Sequence, residues 1–165
     1  MPANALFFFP AAKEMDIRLA KTDQGLGDFF DLVRPTLAAQ PRLGQNVGAE
    51  EIIAHRPDLV ITKASNYDSI GKQLEPFGIP VFVMDLETPE AWKHEIIQLG
   101  ILLGDHETPK RIIEAFERRQ KSVTSVLGSL PCSERPSVLM VQVASSDGTT
   151  AFSIAPKDWI QTTMT

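Results

Sequence analysis

The sequence predicts an α/β fold: a Rossmann-like parallel-sheet lobe, a long helix, and an incomplete second α/β lobe. Three observations carry this. Residues 46–105 alternate short apolar, β-branched runs with helical patterns, the order from which parallel strands and crossover helices are built. Residues 107–127 hold the longest helical periodicity in the chain. After a turn-rich break at 128–136 a fresh apolar run begins, and too few residues follow it to bury a second core. The expected divisions are a first lobe at 1–104, a connecting helix at 105–130, and the beginning of a second lobe at 131–165.

The first 45 residues are the least patterned. Leu6-Phe-Phe-Phe9 fits a strand or a helix, Asp16-Ile-Arg-Leu-Ala20 a short edge strand, and Gly27–Val33 a helix ended by Pro35. Further on, Ala49, Ile52 and Ile53 fall at helical spacing, and Pro57 stops that helix by driving Arg56 out of the α region. Asp58-Leu-Val-Ile-Thr62 then reads as a strand buried on both faces of a parallel sheet. Ser65 or Asn66 is placed to cap a crossover helix carrying Ile70, Leu74 and Phe77, which Gly78 ends in left-handed geometry. Val81-Phe-Val-Met-Asp85 is its parallel partner, since about a dozen intervening residues suffice for the crossover. Thr88 and Pro89 supply the N-cap and first position of the next helix, with Trp92, Ile96, Leu99 and Leu103 as its inner stripe and Gly104 as its end. The helix from Glu107 to Leu127 extends roughly 30 Å at 1.5 Å per residue, long enough for a strut between lobes. Ser137–Ala144 and Ala151–Ile154 are strands joined by a turn at 145–150, and Pro156 opens a last helical segment.

Composition narrows the function. With 165 residues, 43% of them hydrophobic, the chain has the means to build a packed core. Its formal charge of −5 and its lack of any longer like-charged block than Glu50-Glu51 or Arg118-Arg119 argue against a nucleic-acid surface. Cys132 is the single cysteine, so neither an internal disulfide nor a CxxC pattern exists. The apolar run near the N-terminus lacks basic residues ahead of it and is interrupted by Pro10, so no export signal is expected there. No stretch reaches the ~18 apolar residues of a membrane-spanning helix. His55, His94 and His106 sit in separate elements without metal-ligand spacing. Gly25-Leu-Gly27 lacks the third glycine of a dinucleotide-binding loop, and no nucleophile-and-base set emerges.

Glu50-Glu-Ile-Ile-Ala-His-Arg-Pro-Asp-Leu-Val-Ile61, followed by Gly78-Ile-Pro-Val81, the strand ending at Asp85, and Leu99-Gly-Ile-Leu-Leu-Gly104 before a long helix, resembles the ABC-importer solute-binding proteins of the iron-siderophore, haem and corrinoid (helical-backbone, class III) family. The resemblance covers most of residues 44–144 in order. It implies two Rossmann-like lobes joined by a backbone helix, a non-enzymatic capture function in the periplasm or, membrane-anchored, on the extracellular side, and no resident cofactor. The ligand it implies is a ferric siderophore, haem or corrinoid, and the macromolecular partner an ABC permease. Glu50 matches the family's first-lobe glutamate that docks onto permease arginines, with Glu51 as rival. A first-turn carboxylate is also favoured by the helix dipole alone. Against the family pattern, the first strand is expected to be missing or reduced to Met1, and the export signal and most of the second lobe are expected to be absent from this sequence.

In open parallel sheets ligands sit beyond the carboxyl ends of the strands. The candidate ligand-binding residues are therefore Pro2 and Asn4, Lys63, Ser65, Asn66 and Tyr67, and Asp85 and Glu87. By resemblance Gln45, Phe152 and Trp159 join them. Lys63 to Tyr67 bring a cation, short polar groups and an aromatic ring to one loop, as an anionic or partly aromatic chelate requires, and Tyr67 is a candidate ligand for haem iron. A solvated helix-entry loop explains the same residues. The competing functional class is a small doubly wound α/β enzyme or cytosolic regulatory domain, dimeric through the incomplete 137–165 unit.

Overall fold

The computed structural model describes residues 2–21, 30, 32–37, 40–44, 47–135, 139, 141–146 and 149–154, with backbone alone for 2, 3, 132, 142–146 and 149–154. They divide into two compact units, Met1–Asp85 and Leu86–Thr165.

The first unit begins with α1 (Pro2–Leu6), so the candidate ligand residues Pro2 and Asn4 lie on a helix and not in a loop after a strand. Proline preset at the first position and the helix-forming Ala3, Ala5 and Leu6 account for this. Phe7 and Phe8 then turn the chain into a 3-10 helix at Pro10–Lys13. The carbonyls at its end are gathered by one side chain: Arg34 donates to Ala12 O at 2.5 Å, Lys13 O at 3.0 Å and Met15 O at 2.7 Å. The edge strand expected at Asp16–Ala20 reduces to a single parallel bridge between Ala20 and Leu43. The helix expected at Gly27–Val33 is described only at residues 30, 32 and 33, which are helical.

Helix α2 (Ala49–Ala54) ends as expected before Pro57, with Arg56 at φ 47° in the left-handed region. Strands β1 (Val60–Thr62) and β2 (Val81–Val83) pair in parallel, Val60 opposite Val81 and Thr62 opposite Val83. Both are shorter than the apolar runs suggested, and their residues are half-buried rather than fully enclosed. The crossover is helical in graded form: a 3-10 turn at Ala64–Asn66, a π turn at Tyr67–Gly71, α3 (Lys72–Leu74) and a 3-10 turn at Glu75–Phe77. Neither Ser65 nor Asn66 caps it through a side chain. Gly78 ends it at φ 68°, the conformation that only glycine adopts without penalty. Leu74, fully enclosed, joins Ala49 and Ile52 at the centre of a core flanked by Val47, Ile53, Val60, Ile70, Ile79 and Val81.

The second unit is built on a pair of helices. Thr88 caps α4 (Pro89–Leu102), its hydroxyl accepting the Ala91 N–H at 3.1 Å. Ile96 and Leu99 of the expected stripe are fully buried. Gly104, at φ 68°, ends the helix and leads into α5 (Glu107–Ser129), 23 residues and about 35 Å long. Asp105 caps α5 from just outside it, taking the N–H groups of Glu107 at 3.2 Å and Thr108 at 2.9 Å and the Thr108 hydroxyl at 2.6 Å. The two helices meet where the Trp92 and Phe116 rings lie 4.9 Å apart and Lys93 reaches Glu117 at 2.6 Å. Beyond them, β3 (Val141–Ser146) and β4 (Thr149–Ile154) form an antiparallel hairpin with Ser146 opposite Thr149. No helix among the described residues is long and apolar enough to cross a membrane.

Candidate functional site

The carboxyl ends of β1 and β2 lie side by side. Each residue pair of a parallel ladder alternates its bonds, and here Val60 N–H donates to Pro80 O at 2.9 Å and Met84 N–H to Thr62 O at 2.9 Å. Continued one step, that alternation asks Ala64 N–H to seek Met84 O and Leu86 N–H to seek Ala64 O. Two carboxylates intervene instead. Ala64 N–H donates to Asp85 Oδ1 at 3.3 Å, and Leu86 N–H donates to Glu95 Oε2 at 2.8 Å. Leu86, three residues past the end of β2, takes φ 58°, left-handed for a residue that rarely goes there. Asp85 therefore lies beyond the strand that the sequence extends to it.

The loop after β1 is placed by that first carboxylate. Lys63 is half-buried at the end of the strand, while Ser65 and Asn66 are exposed on the 3-10 turn. Tyr67 is held elsewhere. Its ring covers Gly71, where an added Cβ would stand 2.3 Å from the ring's Cδ2, and its hydroxyl donates to Glu75 Oε1. The hydrogen bond to Glu75 is the main reason that the phenol's pKa is raised, with desolvation and the nearby carboxylates adding to it. This conformation turns the tyrosine along its own helix, with its oxygen engaged by a carboxylate.

Of the remaining sequence-predicted residues, Asn4 is on α1, which packs beside β1, and its Oδ1 is buried without a hydrogen-bond partner among the described residues. Pro2 is described by its backbone in the same helix. Glu87 is half-buried in the second unit. Phe152 lies in β4, opposite Val143. Gln45 and Trp159 lie outside the described residues. Glu50 is exposed on the first turn of α2, whereas Glu51 accepts the Gly44 N–H at 3.4 Å. Among the described residues no cluster of His, Cys, Asp or Glu is arranged to hold a metal ion. The second unit carries a groove of about 440 Å³ lined by Ile97, Ile101, Pro109 and Ile113 together with His106, Lys110 and Glu114.

Sequence reasoning missed Glu95 and Arg34. Glu95 lies mid-helix with no local motif, and Arg34 works across 19 to 22 residues of sequence. Asp105 was findable, because Asp followed three residues later by Thr at the start of a periodic run is a capping pattern.

No protein-family profile matches the chain, and neither does any curated protein sequence. Solved structures do. The molybdate periplasmic binding protein of a Haemophilus influenzae ABC transporter superposes on 81% of this chain with a TM-score of 0.67 at 19% identity. The chain has the fold of the periplasmic solute-binding proteins of ABC transporters. An ABC transporter substrate-binding protein from Listeria monocytogenes matches 96% of the chain with a TM-score of 0.65 at 14% identity. A possible iron-binding periplasmic solute-binding protein from Staphylococcus epidermidis matches 80% with a TM-score of 0.59 at 17% identity. The chain spans about half the length of these structures, covering 48%, 57% and 51% of them in that order. The α/β reading of the sequence is thereby borne out.

Proposed function

We propose that this chain is the ligand lobe, connecting helix and adjoining part of the second lobe of an ABC-importer solute-binding protein, and that it captures a small metal-containing ligand without chemical conversion. The observation that carries this reading is the pairing of the β1 and β2 carboxyl ends, within this fold, beside Lys63, Ser65 and Asn66. A cation, a hydroxyl and an amide at strand ends suit an anionic chelate, because the charge fixes attraction and the two short groups fix orientation. A ferric siderophore, haem or corrinoid fits that chemistry. Delivery to a membrane permease, on the outer side of the membrane, follows as the purpose of capture.

Titration of the chain with ferric catecholate and hydroxamate siderophores, haem, cobalamin and molybdate, followed by calorimetry and tryptophan fluorescence, tests the reading. One of these is expected to bind saturably, and Lys63→Ala to weaken it by about tenfold while leaving the circular dichroism unchanged, the loss of one charge-assisted contact. Absence of a response to every ligand overturns the proposal.

A further inference from the structure

We infer that Asp85 is a positioning residue for this site: its carboxylate takes the ladder rung that would otherwise zip the two strands further, and so sets the Lys63–Asn66 loop apart from the end of β2 with Ser65 and Asn66 outward. The inference rests on the proposed ligand-binding reading and deepens it. Its basis is the ladder itself. Through Thr62 and Met84 the strands exchange backbone bonds at 2.9 Å, and at the next step the Ala64 N–H goes to Asp85 Oδ1 rather than to a main-chain carbonyl. On the β2 side the Leu86 N–H goes to Glu95 Oε2, and Leu86 stands at φ 58°. Side chains that accept from the backbone divert it from the ladder. The loop after β1 meets a defined acceptor, which is how a loop gains the fixed geometry that a binding site needs.

A charged side chain beside a candidate ligand loop also invites the reading that Asp85 touches the ligand. The two roles separate by what each requires. Positioning requires an acceptor oxygen and no charge, so Asp85→Asn retains it and Asp85→Ala loses it. Ligand contact through the carboxylate requires the charge, so both substitutions lose it alike.

The test uses the whole chain and reads two quantities: hydrogen exchange of the Ala64 amide by NMR, and affinity for whichever of the siderophores, haem, cobalamin or molybdate binds. Exchange of the Ala64 amide is expected to quicken by about tenfold in Asp85→Ala and to stay near the parent rate in Asp85→Asn, the effect of one net hydrogen bond. Affinity is expected to fall about threefold to tenfold in the first variant and to be restored in the second. Ala64→Pro provides a route that leaves Asp85 untouched. It removes the donor at the first position of a 3-10 turn whose preceding residue, Lys63, is already extended at φ −76° and ψ 153°. It should reproduce the affinity loss of Asp85→Ala, and the two together should lose no more than either alone. An Ala64 amide indifferent to Asp85→Ala overturns the inference, as does an Asp85→Asn variant that loses as much affinity as Asp85→Ala. Should Asp85→Ala fail to fold, an affinity loss in Asp85→Asn, or none in Ala64→Pro, overturns it equally. If none of the ligands binds, the ligand-binding reading falls, and the amide exchange still decides whether Asp85 sets the loop.

Discussion

Tyr67 shows how a residue picked from sequence changes meaning once its neighbours are known. A tyrosine beside a cation and an amide looks like a ligand contact, but its ring rests on Gly71 and its hydroxyl on Glu75, a spacing that runs down one helix face. The bond to Glu75 stabilises the protonated phenol, so the pKa is raised. The corresponding stability is fully present below the ordinary phenol value of about 10 and is lost as pH rises through the higher folded value. Tyr67 is the single tyrosine of the chain, so the phenolate absorbance reports it alone. Its titration midpoint should lie above the free-tyrosine value and fall back toward it in Glu75→Ala. A midpoint unchanged by that substitution would show that the bond does not hold in solution. Gly71 had no visible purpose in the sequence, being a glycine in mid-helix. Its reason is the ring lying where a side chain would stand.

At the scale of elements, the helices were legible wherever local chemistry fixes their ends. Thr88, Pro89, Gly78 and Gly104 act as the sequence indicates, because a cap or a left-handed glycine works within one turn. The junction of α4 and α5 adds a tertiary constraint on the same few residues. A Cβ on Gly100 would stand 2.4 Å from Pro109 Cγ and 2.6 Å from Asp105 O. Gly100→Ala should therefore cost about 1–3 kcal/mol in chemical denaturation despite alanine's better helix propensity, because the close approach must open. A neutral or stabilised variant would mean the junction can relax. Asp105 acts at the same corner. Its bonds to the Thr108 hydroxyl and backbone hold its carboxyl below the usual carboxylate range. The lowered pKa means that its contribution is present above the unfolded value of about 3.9 and is lost as pH falls through the folded one. Melting temperatures of the parent and Asp105→Asn should differ at neutral pH and converge in acid. A difference that persists below the folded pKa would rule out the carboxylate as its source.

For the molecule as a whole, the two carboxylates of α2 offer a test of partnership. Glu51 is committed to the Gly44 N–H, whereas Glu50 is exposed on the first turn, where a permease arginine would have access to it. Under the proposed function, Glu50→Arg should weaken the complex with a cognate permease in detergent by at least about tenfold, as like charge replaces opposite charge. Ligand affinity should not change. Equal loss from Glu51→Arg would move the docking contact to the neighbouring residue. Much of this molecule was settled by sequence alone. The αβ alternation of 49–83, the parallel pairing implied by a crossover of suitable length, and the long charged helix are short-range facts of periodicity and chain geometry. The described residues of the first 44 resisted such reading because their contacts are long-range: Arg34 reaches carbonyls some twenty positions away, and Phe7 meets Phe30 at 5.4 Å. The candidate site divides in the same way. Sequence named the loops beyond the strands, since strand ends follow from strand positions. Which residue in them accepts a backbone N–H, which stacks on a glycine and which stays open to solvent was decided by the tertiary structure, because a hydrogen bond between Ala64 and Asp85 exists only once 20 intervening residues have folded back to lay two strand ends side by side.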